Sequence, residues 1–117
     1  MPSGITEAAV CDVACRLLKK AAVVLPPQFA GLLKMAYDRE RNELARINLR
    51  TMLEAVRAAE EEGRPLCQDT GLVFYHVVIG GKVAFEGDLN RALVQAAEKA
   101  TQELPLRPLL VSPTSTA

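Results

Sequence analysis

From Ile5 to Leu25 the apolar residues Ile5, Ala9, Val13, Leu17 and Val24 return at helical spacing, interleaved with Glu7, Asp12, Arg16, Lys19 and Lys20. The pattern predicts an amphipathic helix. Its acids lie in the first half and its bases in the second, the order the helix dipole favours, and Pro26-Pro27 stops it. A shorter helix is expected from Pro27 to about Arg39, with Phe29, Leu32, Leu33 and Ala36 on one side and proline in the first turn. Asn42 to Glu62 gives the strongest pattern. Leu49, Leu53 and Val56 form a stripe, and Arg46, Arg50, Glu54, Arg57 and Glu61 form a charged face with opposite signs three or four apart. Gly63 and Pro65 end this helix.

The period then changes. Leu72 to Ile79 is almost continuously apolar and rich in β-branched and aromatic residues, which reads as a strand covered on both faces. Gly80-Gly81 signals a two-residue turn, and Lys82 to Glu86 alternates as a returning strand does, so an antiparallel hairpin is predicted. Asp88 caps a fourth helix in which Leu89, Leu93, Ala96, Ala97, Ala100 and Leu104 face inward, and Pro105 ends it. Leu106 to Val111 reads as a strand interrupted by Pro108, and Ser112 to Ala117 has no periodicity. No internal repeat is present. The expected fold class is α+β: N-terminal helices packed on a small antiparallel hairpin, with a further C-terminal helix. The expected organisation is one domain over residues 1–117 with a flexible tail at 112–117.

Composition narrows the function classes. The chain has 117 residues, half of them hydrophobic and 24% charged, enough for one packed core. Lys plus Arg and Asp plus Glu balance at 14 each, so no broad field draws it to nucleic acid or to an anionic membrane. The sequence shows no signal peptide and no apolar run approaching the roughly 20 residues that span a bilayer, so a cytoplasmic location is expected. Cys11, Cys15 and Cys67 make an odd number, which argues for reduced thiols over a disulfide framework.

The chemistry concentrates in Cys67-Gln68-Asp69-Thr70-Gly71, at the join between the long helix and the apolar run. A loop there can present side chains while both flanks hold it, and Thr70-Gly71 suits a turn. A Cys67 thiolate would be a soft metal ligand, Asp69 an anion or base, and Gln68 and Thr70 hydrogen-bonding groups for a polar substrate. Taken alone, one cysteine in a turn is more often an ordinary small residue than a ligand, and no CxxC or HxxxH pair completes a zinc site. Cys11 and Cys15 share a helical face but sit in an apolar stretch and read as core. His76 reads as a core histidine within the buried strand. Gly80-Gly81 has no accompanying phosphate-loop pattern.

A resemblance shifts this balance. "PLCQDTG" (residues 65–71) resembles the signature of the iron–sulfur-dependent hydro-lyases, the class I fumarate hydratase and L-tartrate dehydratase family, in its α-subunit or N-terminal region. The preceding "LARINLRTMLEAVRAAEEEGRPLCQDTG" and the later "LPLRPLLVSP" resemble the same family, so the likeness covers essentially the whole chain. It implies a [4Fe-4S] cluster held by three cysteines, with Cys67 as one of them and one iron open to substrate. It further implies that Gln68 and Asp69 contact a small dicarboxylate, that Arg107 pairs with one of its carboxylates, and that the partner is a β subunit or C-terminal domain in a homodimer or heterotetramer. The family's α regions continue well beyond this length and supply two further cluster cysteines, and after Pro113 this sequence runs into "TSTA" in place of the family's arginine- and asparagine-bearing continuation. The chain is therefore expected to be a truncated piece or shortened product, inactive alone. The competing expectation is a non-catalytic helical interaction module that keeps the fold without the chemistry.

Overall fold

The computed structural model describes residues 4–67 and 72–106. Among these, the order is β1 (Ile5–Thr6), α1 (Glu7–Val23), α2 (Pro27–Arg39), α3 (Glu43–Glu62), β2 (Phe85–Glu86) and α4 (Leu89–Glu103). The chain divides into two compact units, one from Met1–Lys19 with Gln68–Ala117 and one from Lys20–Cys67. The class is α+β, as the pattern predicts. No helix among the described residues is long and apolar enough to cross a membrane. The tail at 112–117 and all of the 106–111 strand except Leu106 lie outside the described residues.

The first unit has a core of small side chains. Ala14 and Cys15 meet Ala96 and Ala100 in one cluster, and Cys11, Leu18, Tyr75 and Leu93 pack against it. The inward positions of α1 are thus Cys11, Ala14, Cys15 and Leu18, spaced i, i+3, i+4 and i+7. This corrects the predicted stripe, for Val13 and Leu17 are 47% and 58% exposed. Size misled the reading: large apolar residues look like core, but the alanines of α4, with Ala92, Ala96 and Ala100 fully buried, leave room only for small partners. On α4 the prediction holds. Ala96, Ala100 and Leu104 are buried, and the Asp88 carboxylate accepts from the Arg91 amide at 3.1 Å to cap the first turn.

The sheet differs from the expected hairpin in both partner and direction. β1 pairs with β2 in parallel, Ile5 opposite Phe85 and Thr6 opposite Glu86, and the Ile5 amide donates to the Ala84 carbonyl at 2.9 Å. The glycine turn does form, with the Val83 amide donating to the Gly80 carbonyl at 3.0 Å. What the turn does not decide is its partner: the returning segment goes to the N-terminal residues, and Leu72–Ile79 forms no strand among the described residues.

The second unit is built on α2 and α3. Glu40 bridges them, its carboxylate accepting from the Arg41 and Asn42 amides at 2.8 Å each, and the Asn42 side chain accepts from the Ala45 amide at 3.1 Å to cap α3. The two backbone amides, first Asn42 and then Arg41, hold the Glu40 carboxyl below its ordinary range. Arg46 lies with its guanidinium 4.7 Å from the centre of the Tyr37 ring. Burial here is shallow. Leu49, Leu53 and Val56 are half-buried as predicted, but Ala59 alone among the described residues of this unit is fully buried, and Phe29 and Leu32 of the expected α2 face stay exposed.

Candidate functional site

The approach to Cys67 is fixed from the backbone upward. α3 ends at Gly63, whose φ of 63° lies in the left-handed region that glycine enters without a Cβ clash. The amides of Gly63 and Arg64 both donate to the Ala59 carbonyl, the second at 3.0 Å, so the last turn closes on itself. Arg64 folds back onto Glu62 as an ion pair. Pro65 then restricts the chain, and the Leu66 amide donates to the Ala22 carbonyl at 2.8 Å. Cys67 follows directly and is exposed. The thiol thus stands exposed just beyond a capped helix, a proline and a backbone hydrogen bond.

The other thiols are in different surroundings. Cys15 is 2% exposed inside the alanine cluster, and Cys11 packs against the same cluster, in keeping with the core reading. Gln68, Asp69 and Arg107, the expected substrate contacts, lie outside the described residues. His76 is exposed, which corrects its expected place in a covered strand: Leu72–Ile79 lies open, with Phe74 and Val78 more than 80% exposed. Among the described residues no three His, Cys, Asp or Glu side chains gather closely enough to hold a metal ion. Cys67 therefore offers one soft donor of the right class, and the described residues do not complete a ligand set around it.

One constellation in the first unit had no signal in the sequence. The Glu7 carboxylate accepts from Arg91 Nε at 2.5 Å and Nη2 at 2.7 Å, and from the Asp88 amide at 2.9 Å. Its carboxyl is held down to about 2, chiefly by the Arg91 side chain and next by the Asp88 amide. Gly87 makes the approach possible: its φ is 120°, and a Cβ there would stand 2.5 Å from Glu7 Oε2. The β1–β2 pairing brings these groups together across 84 residues, and the fork carries a fold-closing load with no free charge left to act on a ligand.

The sequence profile of the family described as "Fumarate hydratase (Fumerase)" matches residues 11–117, which include Cys67 and all the α3 approach to it. The chain belongs to the fumarate hydratase family. Two relatives sharpen the comparison. A protein of Methanocaldococcus jannaschii provisionally named L(+)-tartrate dehydratase subunit alpha is 34% identical over 106 residues, covering 89% of this chain and 37% of the relative. The L(+)-tartrate dehydratase subunit alpha of Escherichia coli strain K12 is 35% identical over 83 residues, covering 71% of this chain and 27% of the relative. The chain thus spans about a third of the length of the tartrate dehydratase α-subunit relatives it matches.

Proposed function

We propose that this chain forms the N-terminal part of the α region of a hydro-lyase that adds or removes water at a C4 dicarboxylate, fumarate/malate or tartrate, and that it is inactive by itself. The observation that carries the reading is the exposed Cys67 at the tethered end of α3, inside the CQDTG motif, in a chain of the fumarate hydratase family. A thiolate is the ligand class that iron–sulfur clusters use, so Cys67 supplies one of three cysteine ligands, and polypeptide outside this chain supplies the other two. When bound, a [4Fe-4S] cluster with one open iron supplies Lewis-acid polarisation of the substrate hydroxyl and carboxylate.

The chain's own residues then bind and orient. Gln68 offers an amide that both donates and accepts, Asp69 offers a carboxylate, and Arg107 offers a planar, permanently charged fork for a substrate carboxylate. The relatives are named as α subunits, which supports a β subunit or C-terminal domain as the partner, in a homodimer or heterotetramer. A cytoplasmic location, where thiols stay reduced, suits the same reading. The test is anaerobic reconstitution, with iron and sulfide, of this chain joined to the remaining α and β polypeptide. Loss of the visible cluster absorbance and of dicarboxylate turnover in Cys67→Ala is expected. Retention of both overturns the assignment.

A further inference from the structure

The segment Leu72–Ile79 has the properties of a strand without its neighbour. Its side chains alternate with period two. Leu72, Phe74 and Val78 are 66%, 85% and 82% exposed, whereas Val73, Val77 and Ile79 are 46%, 45% and 56% exposed and Tyr75 packs against the alanine core. The odd-numbered side chains are thus the less exposed set, anchored through Tyr75, and the even-numbered set, apolar except for His76, lies open. Among the described residues no backbone amide or carbonyl of Leu72–Ile79 takes part in a backbone hydrogen bond. The Tyr75 hydroxyl is buried and finds no partner there either.

Both deficits are of one kind. An open apolar face calls for covering, and unpaired backbone groups call for a ladder; a β-strand laid alongside satisfies the second and brings the side chains that begin to satisfy the first. A helix would cover the side chains but leave the amides unpaired. We propose that Leu72–Ile79 is a docking strand for a β-strand from the rest of the α-subunit polypeptide, the two thirds or so of the relatives' length that this chain does not span. This rests on the reading of the chain as an α-subunit portion. The pairing also has a consequence for that reading, because the docking strand begins one residue after the CQDTG motif. Seating it would fix the residue that follows this motif in sequence, Leu72.

The test is hydrogen exchange on this whole chain, alone and co-expressed with the part of the M. jannaschii α subunit that lies beyond the matched stretch. Slowing of the Val73–Ile79 amides by about 100-fold or more in the co-expressed complex is expected. Val78→Pro, which removes a donor at an exposed position, and the double change Phe74→Lys with Val78→Lys are expected to abolish co-purification. Leu17→Lys, an equally apolar but helical surface change, is expected to leave it intact, and circular dichroism confirms that each variant keeps its helices. Three outcomes overturn the proposal: no complex, a complex in which these amides still exchange rapidly, or equal protection in the chain alone that rises with its concentration, which signals a second copy as occupant. Cluster absorbance is read separately. Protection without a cluster spares the docking strand and sinks the hydro-lyase reading, and a cluster without protection does the reverse.

Discussion

Cys15 and Cys67 carry the same thiol and have opposite surroundings. Cys15 is 2% exposed in a cluster with Ala14, Ala96 and Ala100. Cys67 is exposed, one residue past the Leu66 to Ala22 tether, with Pro65 and the Gly63 cap behind it. The first position selects cysteine for volume: a side chain between alanine and valine in size, with no hydrogen bond required. The second is exposed, so burial of its volume does not account for it. One thiol is enclosed by the fold and the other is exposed by it, and the proposed function assigns chemistry to the exposed one.

The comparison breaks most decisively at the exposed thiol. In the complete reconstituted enzyme Cys67→Ala is expected to lower turnover by at least about 10³-fold, equivalent to some 4 kcal/mol of lost transition-state stabilisation. Turnover assays and melting curves on the same preparations check it; a melting shift without an activity loss would reassign Cys67 to the fold. Enlarging the other environment reverses the effect. Ala96→Leu, at a position with no exposure and in contact with Cys15, is expected to destabilise by about 3 kcal/mol through overpacking, measured by urea unfolding. Cys67→Leu is expected to show no such loss.

A change between these extremes tests the closure of the first unit. Gly87→Ala must adopt a φ of 120° and place a Cβ against the Glu7 carboxylate. A loss of about 2 kcal/mol is expected from the strained backbone, visible in the same urea titration. Asp88→Ala, which removes the carboxylate that caps α4, is expected to cost about 1 kcal/mol and to leave Cys67 chemistry untouched.

These sites also mark where the sequence could and could not be read. The ends of α3 and α4 were legible because their signals are local: Asn42 and Asp88 cap with their own side chains, and Gly63 and Pro105 close what precedes them. The inward face of α1 was not, since Val13 and Leu17 outweigh Ala14 and Cys15 in hydrophobicity, and only the alanines of α4 decide which face is buried. The hairpin failed for a related reason. Gly80-Gly81 encodes a turn, but the strand that the turn releases pairs with Ile5–Thr6, a choice made by contacts some 80 residues apart in sequence. Of the proposed site, the motif singled out Cys67, and the structure adds that it is exposed beyond the helix stop. The open state of Leu72–Ile79 was not legible, because an apolar run reports that a surface must be covered and says nothing of which polypeptide covers it.

The smallest expected effect separates two lowered carboxylates, one in each unit. Glu7 is held down to about 2 mainly by an Arg91 side chain that is itself 59% exposed, whereas Glu40 is lowered mainly by the Asn42 and Arg41 amides. A group whose folded pKa lies below its unfolded value stabilises the fold in full above the unfolded value, and that stabilisation fades as pH falls through the folded one. For Glu7 the window runs from the ordinary 4.5 down to about 2. Glu7→Gln is therefore expected to melt lower than the parent at neutral pH, with the gap closing across that window; melting curves at stepped pH check it, and a gap that stays constant down to about pH 2 would show that the charge is not what holds the fork. Salt distinguishes the two carboxylates. A partner guanidinium in contact with solvent is screened by added ions, while amides fixed in a helix-linking turn are not, so molar salt is expected to narrow the Glu7→Gln gap and leave that of Glu40→Gln nearly as it was.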